Sequence, residues 1–190
     1  MNTLILGIGN LLLSDEAVGV RIVERLQRDY RFPANVELMD GGTAGMELLE
    51  YLACRDHLIV VDAVLSGSEP GSVITLRDDE VPAMFSRKIS PHQLGLADVL
   101  SALRLTDEFP KKLTLVGIEP QSLEPNIGLT PAIASAVPVA MDRVLAILRE
   151  QGFRPCTRGY PCTVSSRTMS RRSRAWPPGA WGSIAILPRS

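Results

Sequence analysis

Thr3-Leu4-Ile5-Leu6-Gly7-Ile8-Gly9 is an apolar run closed by glycines, and Val18, Ile22, Val23 and Leu26 follow it at helical spacing. A strand that feeds a helix after one short turn is the opening of a layered α/β fold. Asn10 to Ser14 make the turn, with Ser14 the expected helix cap. The alternation then repeats. Val36 to Met39 read as a second strand ended by Asp40-Gly41-Gly42, and Thr43 as the cap of a helix carrying Met46, Leu49 and Leu52. His57 to Val61 make a third strand, apolar enough to need cover on both faces. Ser72 to Leu76 read as a fourth strand and Leu113 to Ile118 as a fifth. Residues 77 to 93 read as irregular, with Pro82 and Pro91 as breakers, before a helix marked by Leu96, Val99, Leu100 and Leu103. The last helix spans about 131 to 150, with a kink or late start expected at Pro138.

Bulk properties narrow the class. The chain has 190 residues, 45% of them hydrophobic and 22% charged, which suits one globular domain with a proper core. No stretch reads as a membrane span, so stable membrane association is not expected. No basic region precedes the first apolar run, which points to a cytoplasmic protein without a signal peptide. The net charge of -1 conceals an asymmetry: seven of the twenty basic residues and none of the twenty-one acids lie after Gln151. The body is therefore acidic, which argues against nucleic-acid binding. Two regions follow: a domain over residues 1–151, and a basic tail over 152–190, rich in Ser, Arg, Pro and Gly, expected to be disordered or foreign to the fold.

Three acids and a histidine attract the chemistry. Glu16 follows the first strand, Asp40 the second, and Asp62 ends the third. In open α/β sheets ligands gather beyond the carboxyl ends of the strands. Neighbouring strands lie about 4.8 Å apart, so acids on adjacent ends can share one cation. His92, in Ser90-Pro91-His92-Gln93, sits before a helix that can bring it to the same rim. Crowded carboxylates repel, and a divalent metal removes that conflict. Mixed carboxylate and imidazole ligands suit zinc, nickel, iron or manganese. Taken singly, each residue also has a plainer reading: Glu16 as a helix-dipole partner, Asp40 and Asp62 as turn residues, and His92 as a cap. Gly7-Ile8-Gly9 is not a dinucleotide loop, because Leu12 replaces the third glycine and acids follow where phosphate would sit.

Five segments, in this order, resemble the nickel-iron hydrogenase maturation proteases. They are Gly7-Ile8-Gly9-Asn10, Asp15-Glu16-Ala17-Val18-Gly19, Asp40-Gly41-Gly42-Thr43-Ala44-Gly45, Val60-Val61-Asp62-Ala63 and Ser90-Pro91-His92-Gln93-Leu94-Gly95. The resemblance covers Met1 to about Gly152 and is strongest to the hydrogenase-2 type. It implies a three-layer α/β/α sandwich with a twisted, mainly parallel five-stranded sheet. It implies an endopeptidase that removes the C-terminal extension of a hydrogenase large-subunit precursor after nickel insertion. It assigns metal binding to Glu16, Asp62 and His92, with nickel supplied by the precursor, and gives Asp40 a part in catalysis, alongside Glu16 and Asp62. A metal-dependent small-molecule hydrolase and a checkpoint that binds precursor without cutting it are the alternatives.

Overall fold

The first apolar strand, β1 (Thr3–Ile8), is fully buried and lies second in a five-stranded sheet. The computed structural model describes residues 1–85 and 91–158, with side chains at 84, 85 and 91–94 excepted. After β1 come α1 (Val18–Asp29), the short β2 (Tyr30–Arg31), β3 (Val36–Gly42), α2 (Leu49–Leu52) and β4 (His57–Ala63). Then follow β5 (Val73–Arg77), α3 (Glu80–Phe85), α4 (Pro91–Leu105), β6 (Leu113–Ile118), α5 (Pro131–Glu150) and β7 (Cys156–Thr157). The sheet order is β3-β1-β4-β6-β5. All neighbours are parallel except β5, which runs antiparallel to β6. The expected mainly parallel five-stranded sheet between helical layers is the observed architecture.

Alternation along the strands builds two cores. Ile5, Ile59, Val61 and Val116 face α1 and α5, while Leu4, Leu6, Leu58, Val60 and Leu115 face the layer of α2, α3 and α4. β4 is buried along its whole length, as its uninterrupted apolar run requires. Burial of these aliphatic side chains supplies the main drive to fold, at about 25 cal/mol per Å².

Several local expectations change. Residues 80–85 form a helix where the sequence reads as irregular, because Pro82 sits in the first turn, where its missing N–H costs no bond. Pro138 lies inside one continuous helix, α5. Pro138 and Ala134, whose carbonyl the proline deprives of its usual N–H partner, are both exposed residues, where a missing helix bond costs least. By length and hydropathy α5 does resemble a membrane span, contrary to the sequence reading, but half of that window is buried. Its Ile133, Val137, Ala140, Val144 and Leu148 form one stripe pressed onto the sheet. Packed chain continues past the compositional change at Gln151, through residues 152–158. Phe153 packs on the α1–α5 core, and β7 pairs antiparallel with β2.

The amino ends of the strands close over a buried polar network. His57 Nε2 pairs with Thr114 Oγ1 at 2.8 Å, its Nδ1 pairs with Gln151 Nε2, and Thr3 Oγ1 donates to Gln151 Oε1 at 3.4 Å. Burial pushes the His57 imidazole below its usual pKa of 6.5, with the Gln151 bond opposing this and the Lys112 charge adding to it. The folded state thus prefers neutral His57. The unfolded chain binds the proton first, so stability falls as pH drops through 6.5 and below. Thermal melts between pH 7.5 and 5.5 should show this fall, and His57→Asn should remove the His57-dependent share of it.

Candidate active site

The sheet changes direction at β1. From β1 the chain moves outward to β3, then crosses back to β4 on the other side of β1. The crevice of such a fold opens beyond the carboxyl ends of the strands at this point. Glu16 lies just after β1 and Asp62 near the end of β4, so the two acids come from the two strands that flank the crevice. Glu16 is 4% exposed and Asp62 is fully buried. Asp62 shares the parity of Leu58 and Val60, which places it on the α4 face of the sheet.

Glu16 is brought to that place by glycines. It stands in a 3-10 turn, Ser14–Ala17, ahead of α1. Ser14 does not cap the helix as expected: its φ is 46°, and its hydroxyl donates to Glu124 O at 2.7 Å. A Cβ on Gly19 would overlap the carbonyl oxygens of Val61 and Ile8, and one on Gly7 would reach the Gly19 carbonyl. A Cβ on Gly9 would overlap the Glu16 carbonyl. The start of α1 therefore rests backbone to backbone on β1 and β4, a contact open only to glycine. The glycines that resemble a nucleotide loop serve helix–sheet packing.

Asp40 sits apart from this pair. It is exposed, near the end of edge strand β3, level with Gly7 of β1. Its Oδ1 accepts the Gly42 N–H at 2.8 Å. The ladder is irregular just beyond it, between Gly7 and Ile8. By strand alternation Asp40 shares the parity of Val36 and Leu38, on the α1 face, whereas Asp62 lies on the α4 face.

His92 is the second residue of α4 rather than part of a turn, and its side chain lies outside the described residues. The backbone start of α4 is nonetheless placed. A Cβ on Gly95 would lie 3.2 Å from Gly45 Cα, so α4 begins against the loop that follows β3 and Asp40. Thr43 does not cap a helix there; Gly45 precedes the 3-10 turn Met46–Leu48. Among the described residues, no three His, Cys, Asp or Glu side chains form a metal cluster.

Two carboxylates that sequence reasoning passed over frame the rim. Asp15, fully buried, accepts the N–H groups of Gln121, Ser122 and Thr130 at 3.0, 2.9 and 2.7 Å, and the Thr130 hydroxyl at 3.0 Å. Glu119, 7% exposed, accepts the N–H groups of Ser66, Gly67 and Ser68 and the Ser66 hydroxyl on one oxygen, Oε2. The first ties the β6–α5 loop to the turn after β1. The second ties the loop after β4 to the end of β6. A buried carboxylate is tolerated when donors surround it, and both meet that condition. In the sequence Asp15 looks no different from Glu16, since both are acids at the start of a helix.

This chain belongs to the hydrogenase maturation protease family, whose model matches residues 20–147. It is accordingly an endopeptidase of the group that processes the C-terminus of the hydrogenase large subunit. It is 63% identical over 153 residues to the hydrogenase 2 maturation protease of Escherichia coli (strain K12), which covers 80% of this chain and 93% of that protein. It is 46% identical over 152 residues to the hydrogenase expression/formation protein HupD of Rhodobacter capsulatus, covering 79% of this chain and 72% of the relative. The structure of the hydrogenase maturating endopeptidase HybD from E. coli matches with a TM-score of 0.81 at 62% identity, over 83% of this chain and 98% of that one. HybD from Thermococcus kodakarensis, at 22% identity and a TM-score of 0.66 over 77% of this chain and 99% of that one, shares the fold.

Gly19→Ala tests the glycine contact. Forcing a methyl into the packed backbone should cost about 2–3 kcal/mol. That is a fall in Tm of roughly 5–10 °C for a domain of this size, read by calorimetry.

Proposed function

We propose that the chain cuts the C-terminal extension from the large-subunit precursor of a hydrogenase-2-type nickel-iron enzyme, in the cytoplasm and after nickel has been inserted. Glu16, Asp62 and His92 hold the nickel that arrives in the precursor, and Asp40 is the base that activates water at the scissile bond. The observation that carries this reading is the pair of buried acids at the switch point, Glu16 after β1 and Asp62 ending β4, with the start of α4 on the Asp62 face. Two carboxylates and an imidazole are a donor set that accepts nickel. Three protein ligands leave positions for groups of the precursor, so recognition and metal loading become one event. Bonds made only to the loaded precursor give it the differential affinity that selects it over the empty one.

Asp40 fits the part of the base by its surroundings. Its carboxylate is exposed and uses one oxygen on the Gly42 N–H, which fixes the side chain and leaves the other oxygen toward solvent. A positioned base contributes about 10²–10⁴ in rate. The placement of Asp40 on an edge strand suits a substrate that is itself a peptide, since a chain can approach there without displacing the sheet.

His92→Ala should abolish cleavage of nickel-loaded precursor while circular dichroism and Tm stay near wild type. Processing at the wild-type rate in that variant would remove the site. Asp40→Asn should slow cleavage by about 10²-fold or more while the loaded precursor still binds in a pull-down. Loss of binding with an unchanged single-turnover rate would move Asp40 from catalysis to recognition.

A further inference from the structure

Asp15 and Glu16 are adjacent acids, and both are buried. All the polar contacts of the Asp15 carboxylate come from one loop. Oδ2 accepts the Gln121 N–H, the Ser122 N–H and the Thr130 hydroxyl, and Oδ1 accepts the Thr130 N–H. One side chain thus grips both ends of the loop that joins β6 to α5. The backbone of the same turn is stitched to the middle of that loop. Ser14 N donates to Asn126 O, Asp15 N to Ser122 O, and Asn126 N to Leu12 O. Ser14, with its positive φ, is held there against its own conformational preference.

The loops fastened together come from β1 and β6, the two neighbours of β4 in the sheet. Their junction therefore spans the end of the strand that carries Asp62. Glu16 leaves the turn at the residue after Asp15.

We propose that Asp15 is a positioning residue: its four-donor clamp locks the 3-10 turn to the β6–α5 loop and thereby sets the Glu16 carboxylate against Asp62. This rests on the reading of Glu16 as a nickel ligand given above. The clamp requires a carboxylate. Asparagine has one acceptor oxygen, and either orientation of its amide points N–H atoms at protein N–H groups, toward Thr130 in one and toward Gln121 and Ser122 in the other. Aspartate satisfies all four donors with no proton of its own.

The test is a double-mutant cycle on cleavage of nickel-loaded precursor, with Asp15→Asn, Glu16→Gln and both together. Loss of a group that orients a ligand costs about 10–100-fold. Asp15→Asn should show that loss in the wild-type background and less than about threefold in the Glu16→Gln background, since residues acting as one unit are not additive. Leu148→Ala, a core change in α5, should lower Tm without either effect. Equal losses in both backgrounds, or no loss at all, would overturn the proposal. Nickel(II) titration of the free protein reads the clamp without the precursor, and Asp15→Asn should weaken binding by about tenfold or more. Wild-type protein that binds nickel(II) but leaves the precursor uncut would sink the proposed function, and the clamp would then be judged on the titration alone. Should Asp15→Asn not fold, Thr130→Val removes one donor and keeps the N–H. It should give about a threefold loss that disappears with Glu16→Gln, and a loss unaffected by Glu16→Gln would count against the clamp.

Discussion

Everything at the rim depends on how closely α1 approaches the sheet. The contact is between backbones: Gly19 lies on the carbonyls of Ile8 and Val61, and Gly7 faces Gly19. Protein interiors are packed to the density of organic crystals, so a helix displaced by one methyl group carries its whole first turn with it. The 3-10 turn joined to its start holds Asp15 and Glu16. The strand beneath it, β4, holds Asp62. A packing constraint in the core is in this way converted into the separation of two buried carboxylates.

The two cores on either side of the sheet have unequal duties. The α1–α5 side supplies the rigid backing, with α5 as one long stripe of aliphatic contacts. On the α2–α4 side Asp62 is oriented, and there α4 begins beside the loop following Asp40. Carboxylates anchored by backbone N–H groups hold the connecting loops of the rim.

Much of this was legible in the sequence, for definite reasons. β1 and β4 are uninterrupted apolar runs, and α1 has a clear stripe, so alternation of strand and helix was visible. The order of the sheet was not, because pairing depends on contacts between distant segments such as Gly7 with Asp40 and Val61. Ser14 and Thr43 look like helix caps by residue type, yet the long-range bonds of Ser14 outweigh its local preference. The short helix 80–85 hid behind Pro82, which signals a break from inside a helix and a start from its first turn. Glu16 and Asp62 could be picked out because acids beside buried strand ends are conspicuous. Asp15 and Glu119 could not, since their function lies in four donors each, nearly all from main chain far away in sequence. Asp40 resembles the other acids in its position after a strand, and only the strand's parity reveals that it stands on the other face.

The nature of those donors has a further consequence. Six of the eight bonds made to Asp15 and Glu119 come from backbone N–H groups, which every residue except proline provides. The loops over 121–130 and 66–68 are therefore held by their main chain and are largely indifferent to the side chains they display. Such a frame lets the outer lettering of the rim drift, residue by residue, while the acids beneath stay in register. A single scaffold can in this way take on a different outer surface without rebuilding the backbone that carries Glu16 and Asp62.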